Sequence, residues 1–280
     1  PTNETTYEEF LDMIAKLKES GVTPIAIGSK NSSYTMWEFN EFLERYGWSE
    51  NIDAILSGEK KFNNPDLVAC FEKMEGLKDA GAFPDNMATI EYFDAKQLFD
   101  NGTAAMFGTG QWDCSEFDEN LGDKVGFWWG PVFSDSDYEQ KVAMKVPAAP
   151  IAVNAEVADD DAMKEAVYAF LNFYYSEDAA KMSYEGSIFP ATSYEGIAAS
   201  DTQYAMNAML EALSEGWTSP NQHRTLQLAL LFRQNFIMVF SEFSREPTHR
   251  KRLWIKWMKR CPTNRVYGGS GVYDRNKVMI

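Results

Sequence analysis

Short apolar segments alternate with amphipathic helical segments along the first 223 residues of this chain. Four segments have the composition of buried strands: residues 22–29, a short stretch after the turn at Asn101 and Gly102, residues 125–133 with an interruption at Gly130 and Pro131, and residues 146–154. Between them lie stretches with apolar residues at i, i+3 and i+4, at about 6–20, 34–46, 65–80, 94–100, 159–175, 177–184 and 201–215. This order predicts an α/β fold with a mostly parallel sheet.

The composition narrows the classes of function. The net charge is −16, which disfavours nucleic acid or an anionic membrane as a partner for most of the chain. Three cysteines at unrelated spacings and two histidines predict no metal site and no cofactor. No apolar run reaches the roughly 18 residues of a membrane span. Since the chain begins at Pro1 without a signal peptide, we interpret it as a fragment.

The charge divides sharply near His223. Residues 224–280 hold 12 Lys and Arg against 3 Asp and Glu, whereas the first 223 residues hold 14 basic and 39 acidic residues. Arg45 is the one arginine before position 224, and eight follow it. The basic tail is therefore unlike the body in composition, as a tail for nucleic acid or membrane or a solvated helix end would be.

A third interpretation of residues 224–280 is a reading-frame change near His223. Permitted codons for residues 231–263, read two bases out of frame, can encode an acidic amphipathic sequence that ends at a stop codon. A frameshifted tail would not have been selected to pack on the acidic body. We then expect one opportunistic helix at about 225–243, a second at 249–260, and loose coil beyond.

Several blocks, in order, resemble a known family. They are TTYEEFLDMIAKLKESGVTPIAIG, DAKQLFDNGTAAMFGTGQWD, KVGFWWGP, APIAVN, AVYAFLNFYYSEDAAKMSYE and GSIFPATSY. Together they are similar to the extracellular solute-binding proteins of ABC importers, in the sugar-binding group that includes maltose-binding protein. The resemblance covers roughly residues 1–222. It lacks the family's first third, and the family's final helices are replaced by the basic tail.

The resemblance implies an incomplete two-lobe fold of the periplasmic-binding-protein-like type II. It places a ligand-binding lobe at 1–145, a hinge crossing with part of the second lobe at 146–223, and the basic tail at 224–280. It also implies a monomeric binding protein, not an enzyme and not a nucleic-acid binder. Such a protein captures a small solute, here a sugar of one or more units, and delivers it to a membrane permease. The full-length parent would be extracellular or periplasmic, anchored as a lipoprotein.

The GQWD loop supplies the first two candidate site residues. Trp112 stands where the resemblance places a sugar-stacking tryptophan, and loops after the carboxyl ends of strands are where open α/β sheets bind ligands. A flat indole buries apolar area against the C–H face of a pyranose. Asp113 could accept hydrogen bonds from sugar hydroxyls. The alternative for Trp112 is ordinary packing beneath the loop.

Three further aromatic residues are candidates for the ligand cleft. Tyr34 matches a second ligand-contacting aromatic of the family, although a partly exposed tyrosine at a helix start would look the same. Trp128 and Trp129 alternate across a predicted strand, so one of them, taken as Trp129, could face the cleft. Trp217 lies in the loop GWTSPN, where a bulky indole has little structural reason to be.

Two rival functions remain open. A carbohydrate-active hydrolase would also stack sugars on tryptophan and would need two carboxylates, but 42 acidic residues make candidate pairs uninformative. A nucleic-acid-binding protein could use the interleaved basic and aromatic residues of THRKRLWIKWMKR in the tail. Turnover of oligosaccharides would distinguish the hydrolase from a binding protein.

Overall fold

A computed structural model describes residues 1–30, 41–143, 151–190 and 192–219. Tyr34 and the predicted tail helices at 225–243 and 249–260 lie outside these residues. The hypothesis of a reading-frame change near His223 concerns the same tail and is therefore not tested by the structure. In the described residues the helices are α1 (Tyr7–Glu19), α2 (Trp48–Leu56), α3 (Pro65–Ala80), α4 (Tyr92–Asp100), α5 (Cys114–Leu121), α6 (Asp161–Tyr174), α7 (Glu177–Glu185) and α8 (Tyr204–Ser214). The strands are β1 (Thr23–Ala26) and β2 (Ala104–Phe107).

Local signals account for the two long helices of the first half. Thr6 and Glu9 form a capping box at the start of α1, where each side chain bonds the other residue's backbone N–H. Asn64 caps α3 ahead of Pro65, and Gly81 ends that helix with a left-handed φ of 76°. Both helices lie within one or two residues of their predicted bounds, because these capping residues can be identified from the sequence alone.

The strands β1 and β2 are neighbours and run parallel. Thr23 pairs with Ala104 and Ala26 with Phe107, with α2, α3 and α4 in the connection between the strands. Gly28, just after β1, lies so close to the next segment that a Cβ atom there would come within 2.3 Å of the Glu91 carbonyl oxygen. The predicted α/β fold is confirmed, and the carboxyl ends of both strands meet at one edge.

Two predictions of secondary structure are wrong. Residues 125–133 form an irregular segment rather than a strand, because Gly130 has φ of 94° and Pro131 cannot donate to a ladder. Val132 makes only an isolated bridge with Thr6. Residues 151–154, the described part of another predicted strand, are also irregular. The helices α2 and α5 were not predicted.

The main core lies between α1, α2, α3 and the strands. Its aromatic centre is the stacked pair Tyr7 and Phe133, with ring centroids 5.4 Å apart. A second cluster joins α5 to α8 through Cys114, Phe117, Ala205 and Met206. The two clusters thereby pack against the strands, so the loops at the strand ends start from a rigid part of the fold, as a binding site requires.

Helix α6 differs from the rest in having no buried residue. It exposes Met163, Phe170, Phe173 and Tyr174 along one side, and Tyr168 on the side of Asp161 and Lys164, each of these apolar residues by at least two fifths of its surface. Isolated apolar residues on a surface are common, but this many large apolar side chains exposed on one helix are not. This exposed surface of the helix, which we call the α6 face, is therefore left uncovered by the described residues.

Candidate functional site

The loop that follows β2 carries Trp112 at the carboxyl edge of the parallel strands. Residues 108–110 leave the strand, and Gln111–Asp113 form one turn of 3-10 helix before α5 begins at Cys114. The segment after β1 ends at the same edge, with Lys30 bonded through its backbone N–H to the Ile90 carbonyl. This is the position at which open parallel sheets bind ligands.

The indole of Trp112 lies on the backbone of Gly110. A Cβ atom added to Gly110 would come within 2.2 Å of the indole Cζ3 atom, so only glycine leaves room for the ring in this position. The residue is 49% exposed, which is unusual for a tryptophan in a well-packed loop. Its Nε1–H donates to the Tyr92 hydroxyl at 3.0 Å. The ring is thus held by its polar edge and supported from beneath.

A buried polar network anchors the loop from below. The Asp113 carboxylate is 5% exposed and accepts hydrogen bonds from the hydroxyls of Tyr92 and Thr109. The Lys96 ammonium lies 3.2 Å from the other Asp113 oxygen and also contacts Glu116. The carboxylate's oxygens are therefore engaged by groups of the protein itself.

The electrostatics of the network follow from burial and charge. Burial, and then the bond to Asp113, raise the pKa of the Tyr92 hydroxyl above its usual range. Burial alone would lower the pKa of Lys96, but its contacts with Glu116 and Asp113 outweigh burial and raise it. Tyr92 therefore stays a neutral donor, and Lys96 stays charged, across the physiological pH range.

The structure places Trp129 and Trp217 together in another cluster. They are 6% and 7% exposed, with ring centroids 5.8 Å apart. The guanidinium of Arg45 lies 4.3 Å from the centroid of the Trp217 ring, and its Nη1 donates to the Gly130 carbonyl at 2.9 Å. Burial lowers the pKa of Arg45 to about 10.

In this cluster the Arg45 Nε and Nη2 atoms and the Trp129 Nε1 atom are buried donors without a partner in the described part of the chain. A ligand oxygen or a water would satisfy them, so a cleft role for Trp129 and Trp217 stays a prediction. The Trp129 and Trp217 cluster and the Trp112 loop are built from different residues, so the structure does not join these candidates in one cluster. Tyr34, the fifth candidate, lies outside the described residues.

Sequence reasoning missed Tyr92, Lys96 and Thr109 as partners of the loop. A signal was present in α4, whose buried positions are Tyr92, Ala95 and Lys96. A lysine on the buried face of an amphipathic helix predicts a buried carboxylate partner, because lysine is almost never buried unpaired. The identity of that partner, 17 residues away at Asp113, depends on the tertiary fold.

A groove of about 640 Å³ lies beside α5, α7 and the segment before α8. Its polar lining includes Asp118, Glu119, Lys181, Glu185 and Gln203. It has no exposed aromatic platform comparable with Trp112, and it lies along α5 rather than at the strand ends. We therefore place the candidate site at the Trp112 loop.

Neither a metal site nor a membrane-spanning helix is found among the described residues. No group of three or more His, Cys, Asp or Glu side chains in them is arranged to hold a metal ion. In the same part of the chain, no helix combines the length and apolarity that crossing a membrane requires.

A known family matches most of the chain. The family described as bacterial extracellular solute-binding protein matches residues 2–212. An uncharacterized ABC transporter extracellular-binding protein of Pyrococcus horikoshii is 30% identical over 112 residues, which are 40% of this chain and 25% of that protein.

Solved structures show the same fold. A chitin oligosaccharide binding protein superposes with a TM-score of 0.70 at 18% identity, over 91% of this chain and 64% of that one. SBP RafE in complex with raffinose gives a TM-score of 0.63 at 17% identity, over 90% and 64%. The chain therefore has the type II solute-binding fold and spans less than two thirds of the length of these structures.

Proposed function

Since this chain belongs to the family of bacterial extracellular solute-binding proteins, we propose that the protein binds a neutral mono- or oligosaccharide and delivers it to the permease of an ABC transporter. The main observation in favour of a sugar ligand is the Trp112 indole, which lies half exposed on Gly110 at the carboxyl edge of the strands. A rigid exposed indole is what the C–H face of a pyranose packs against. Solved relatives named for chitin oligosaccharide and raffinose support the same class of ligand.

We place the ligand between two lobes, with residues 1–145 as one lobe and 146–223 crossing to the other. The α6 face supports this division, because a helix with no buried residue is expected where a further layer of the second lobe packs. Hinge closure between the lobes would cover the exposed half of Trp112. A single lobe offers half of the contacts, so we expect residues 1–280 alone to bind sugar weakly.

Asp113 has a different role in this proposal from the one its sequence position suggests. Its oxygens are engaged by Tyr92, Thr109 and Lys96, so the carboxylate stabilises the loop rather than the sugar. The sugar hydroxyls would then be bound by other groups at the cleft. Trp129, Trp217 and Tyr34 remain candidates for further aromatic contacts.

The remaining parts of the proposal concern partners and cell location. We propose that the protein acts as a monomer, leaves its ligand chemically intact, and in its full-length form is extracellular or periplasmic and anchored to the membrane as a lipoprotein. Incubation with oligosaccharides, followed by chromatography, tests the second point. Shortened products would favour the hydrolase alternative.

The test of sugar binding is ligand-observed NMR, which detects millimolar affinities. Neutral sugars, including chitin oligosaccharides and raffinose, are compared with amino acids and divalent metal ions. We expect saturation transfer to at least one sugar, and a loss of about 2 kcal/mol or more of binding free energy in Trp112→Ala. Tyr168→Ala, which removes an exposed aromatic ring from α6, is the matched control. A response to amino acids or metal ions with none to any sugar would overturn the proposal.

A further inference from the structure

Tyr92 meets Trp112 through a hydrogen bond whose direction is dictated by chemistry. An indole N–H can only donate, and a carboxylate paired with a lysine can only accept. The Tyr92 hydroxyl lies between these two groups, with Trp112 Nε1 at 3.0 Å and an Asp113 oxygen on the other side. The Thr109 Oγ1 atom also lies 2.5 Å from this hydroxyl, so the hydroxyl gives its hydrogen to Asp113 or to Thr109. In either case an oxygen lone pair is left for the indole N–H.

The Tyr92 side chain is itself held rigidly. It is 6% exposed, and its ring packs on Phe107 and Phe93 with centroid separations of 5.2 and 5.3 Å. Asp113 and Thr109 both contact its hydroxyl, and Asp113 is fixed in turn by Thr109 and Lys96. An acceptor with so little freedom fixes the position of whatever donates to it.

The indole has two separate restraints. Gly110 supports the ring from beneath, and Tyr92 holds the N–H edge in the plane of the ring. The first restraint prevents the ring from moving downward, and the second prevents it from rotating about its side-chain bonds. Neither restraint uses a ligand, so the platform is formed in the free protein.

We propose that Tyr92 is a positioning residue that fixes the plane of the Trp112 indole before a ligand arrives. This inference rests on the proposed function, because a fixed plane matters when a flat sugar face must stack on it. A side chain that is already ordered loses less conformational entropy on binding. Removing the hydroxyl should therefore weaken sugar binding about threefold to tenfold while leaving the ring in place.

The experiment follows the indole N–H of Trp112 by NMR in residues 1–280 labelled with ¹⁵N-tryptophan, without sugar. Trp112→Phe assigns the resonance. In the wild type we expect exchange of this hydrogen with solvent to be at least about tenfold slower than in a free indole, because the bond to Tyr92 must open first. In Tyr92→Phe, which keeps the ring packing, we expect faster exchange and greater nanosecond motion of the indole.

Tyr168→Phe removes a hydroxyl from an exposed tyrosine on α6 and is the matched control. An unprotected Trp112 N–H in the wild type, or an unchanged one in folded Tyr92→Phe, would overturn the positioning role. The wild-type measurement decides the matter if Tyr92→Phe does not fold. Failure of every sugar to bind would overturn the proposed function alone, because the indole measurement uses no ligand.

Discussion

Gln111 ties the Trp112 loop to a segment 78 residues further along the chain, since its Oε1 atom accepts a hydrogen bond from the Phe189 backbone N–H at 3.0 Å. The neighbouring Ser187 has a left-handed φ of 53°, the one such non-glycine residue in the described part of the chain. The loop therefore depends on correct docking of the segment that follows α7.

Replacing Gln111 with alanine should loosen this link. The Phe189 N–H would lose its acceptor in a half-buried position, which lowers the free energy of unfolding by about 1 kcal/mol. Denaturant titration measures the change, and hydrogen exchange should show faster exchange at Phe189. Gln97→Ala, at an exposed position on α4, is the control and should change little. Equal effects of the two substitutions would contradict the prediction.

Replacing Gly110 with alanine should displace the Trp112 ring. The new Cβ atom would otherwise lie 2.2 Å from the indole, and the loop backbone itself is extended and accepts any residue. We expect a changed fluorescence maximum and sugar affinity reduced about tenfold, with modest loss of stability. Gly126→Ala adds a methyl group where no atom lies within 4 Å, so it serves as the control. An unaltered spectrum and affinity in Gly110→Ala would show that the ring does not rest there.

Replacing Lys96 with methionine should destabilise the fold. The Asp113 carboxylate would then be buried without its counter-charge, which costs about 3 kcal/mol. The double variant with Asp113→Asn should recover much of that loss, because the buried charge is gone as well. Thermal or denaturant unfolding of both variants measures the coupling. Lys181→Met breaks an exposed pair with Glu177 and should leave stability nearly unchanged. Purely additive effects would exclude the proposed pairing.

Glu44 should make stability depend on pH. Burial raises its pKa from 4.5 to about 8, although the Ser49 hydroxyl donates to it and lowers the pKa somewhat. The folded state therefore holds a proton that the unfolded state releases. Stability from this group is fully present below pH 4.5 and is lost as pH rises toward about 8.

Glu44→Gln should remove this dependence. We expect the variant to match the wild type near pH 4.5 and to exceed it at pH 9, by up to about 1.4 kcal/mol for each unit of the pKa shift. Ser49→Ala removes the donor that favours the charged form and should steepen the decline. Unfolding free energies from pH 4 to 9 measure both effects. Parallel curves for Glu44→Gln and wild type would contradict the assignment.

The sequence predicted the α/β class, the bounds of α1 and α3, and the Trp112 loop at a strand's carboxyl end. It did not predict contacts between segments that are distant in the sequence. The turn that buries Trp217 against Trp129 and Arg45 has the local composition of an exposed loop. The predicted strand at 125–133 has apolar residues enough, but Gly130 and Pro131 prevent a ladder. Asp113 was predicted as an acceptor for sugar hydroxyls, and its contacts with Tyr92 and Lys96 were not predicted, since neither residue is near it in sequence.

The contact between Gly110 and Trp112 gives a geometric meaning to the spacing Gly-x-Trp. Gly110 is extended and residues 111–113 form a 3-10 turn, which brings the Trp112 side chain back over the Gly110 backbone. The indole therefore fills the space that a side chain at position 110 would need. The residue between them points elsewhere and is available for a separate task, as Gln111 is when it binds Phe189. In this spacing the glycine supports the indole, the tryptophan provides it, and the residue between them links the loop to another segment. A substitution at any one of the three positions should therefore change the environment of the other two.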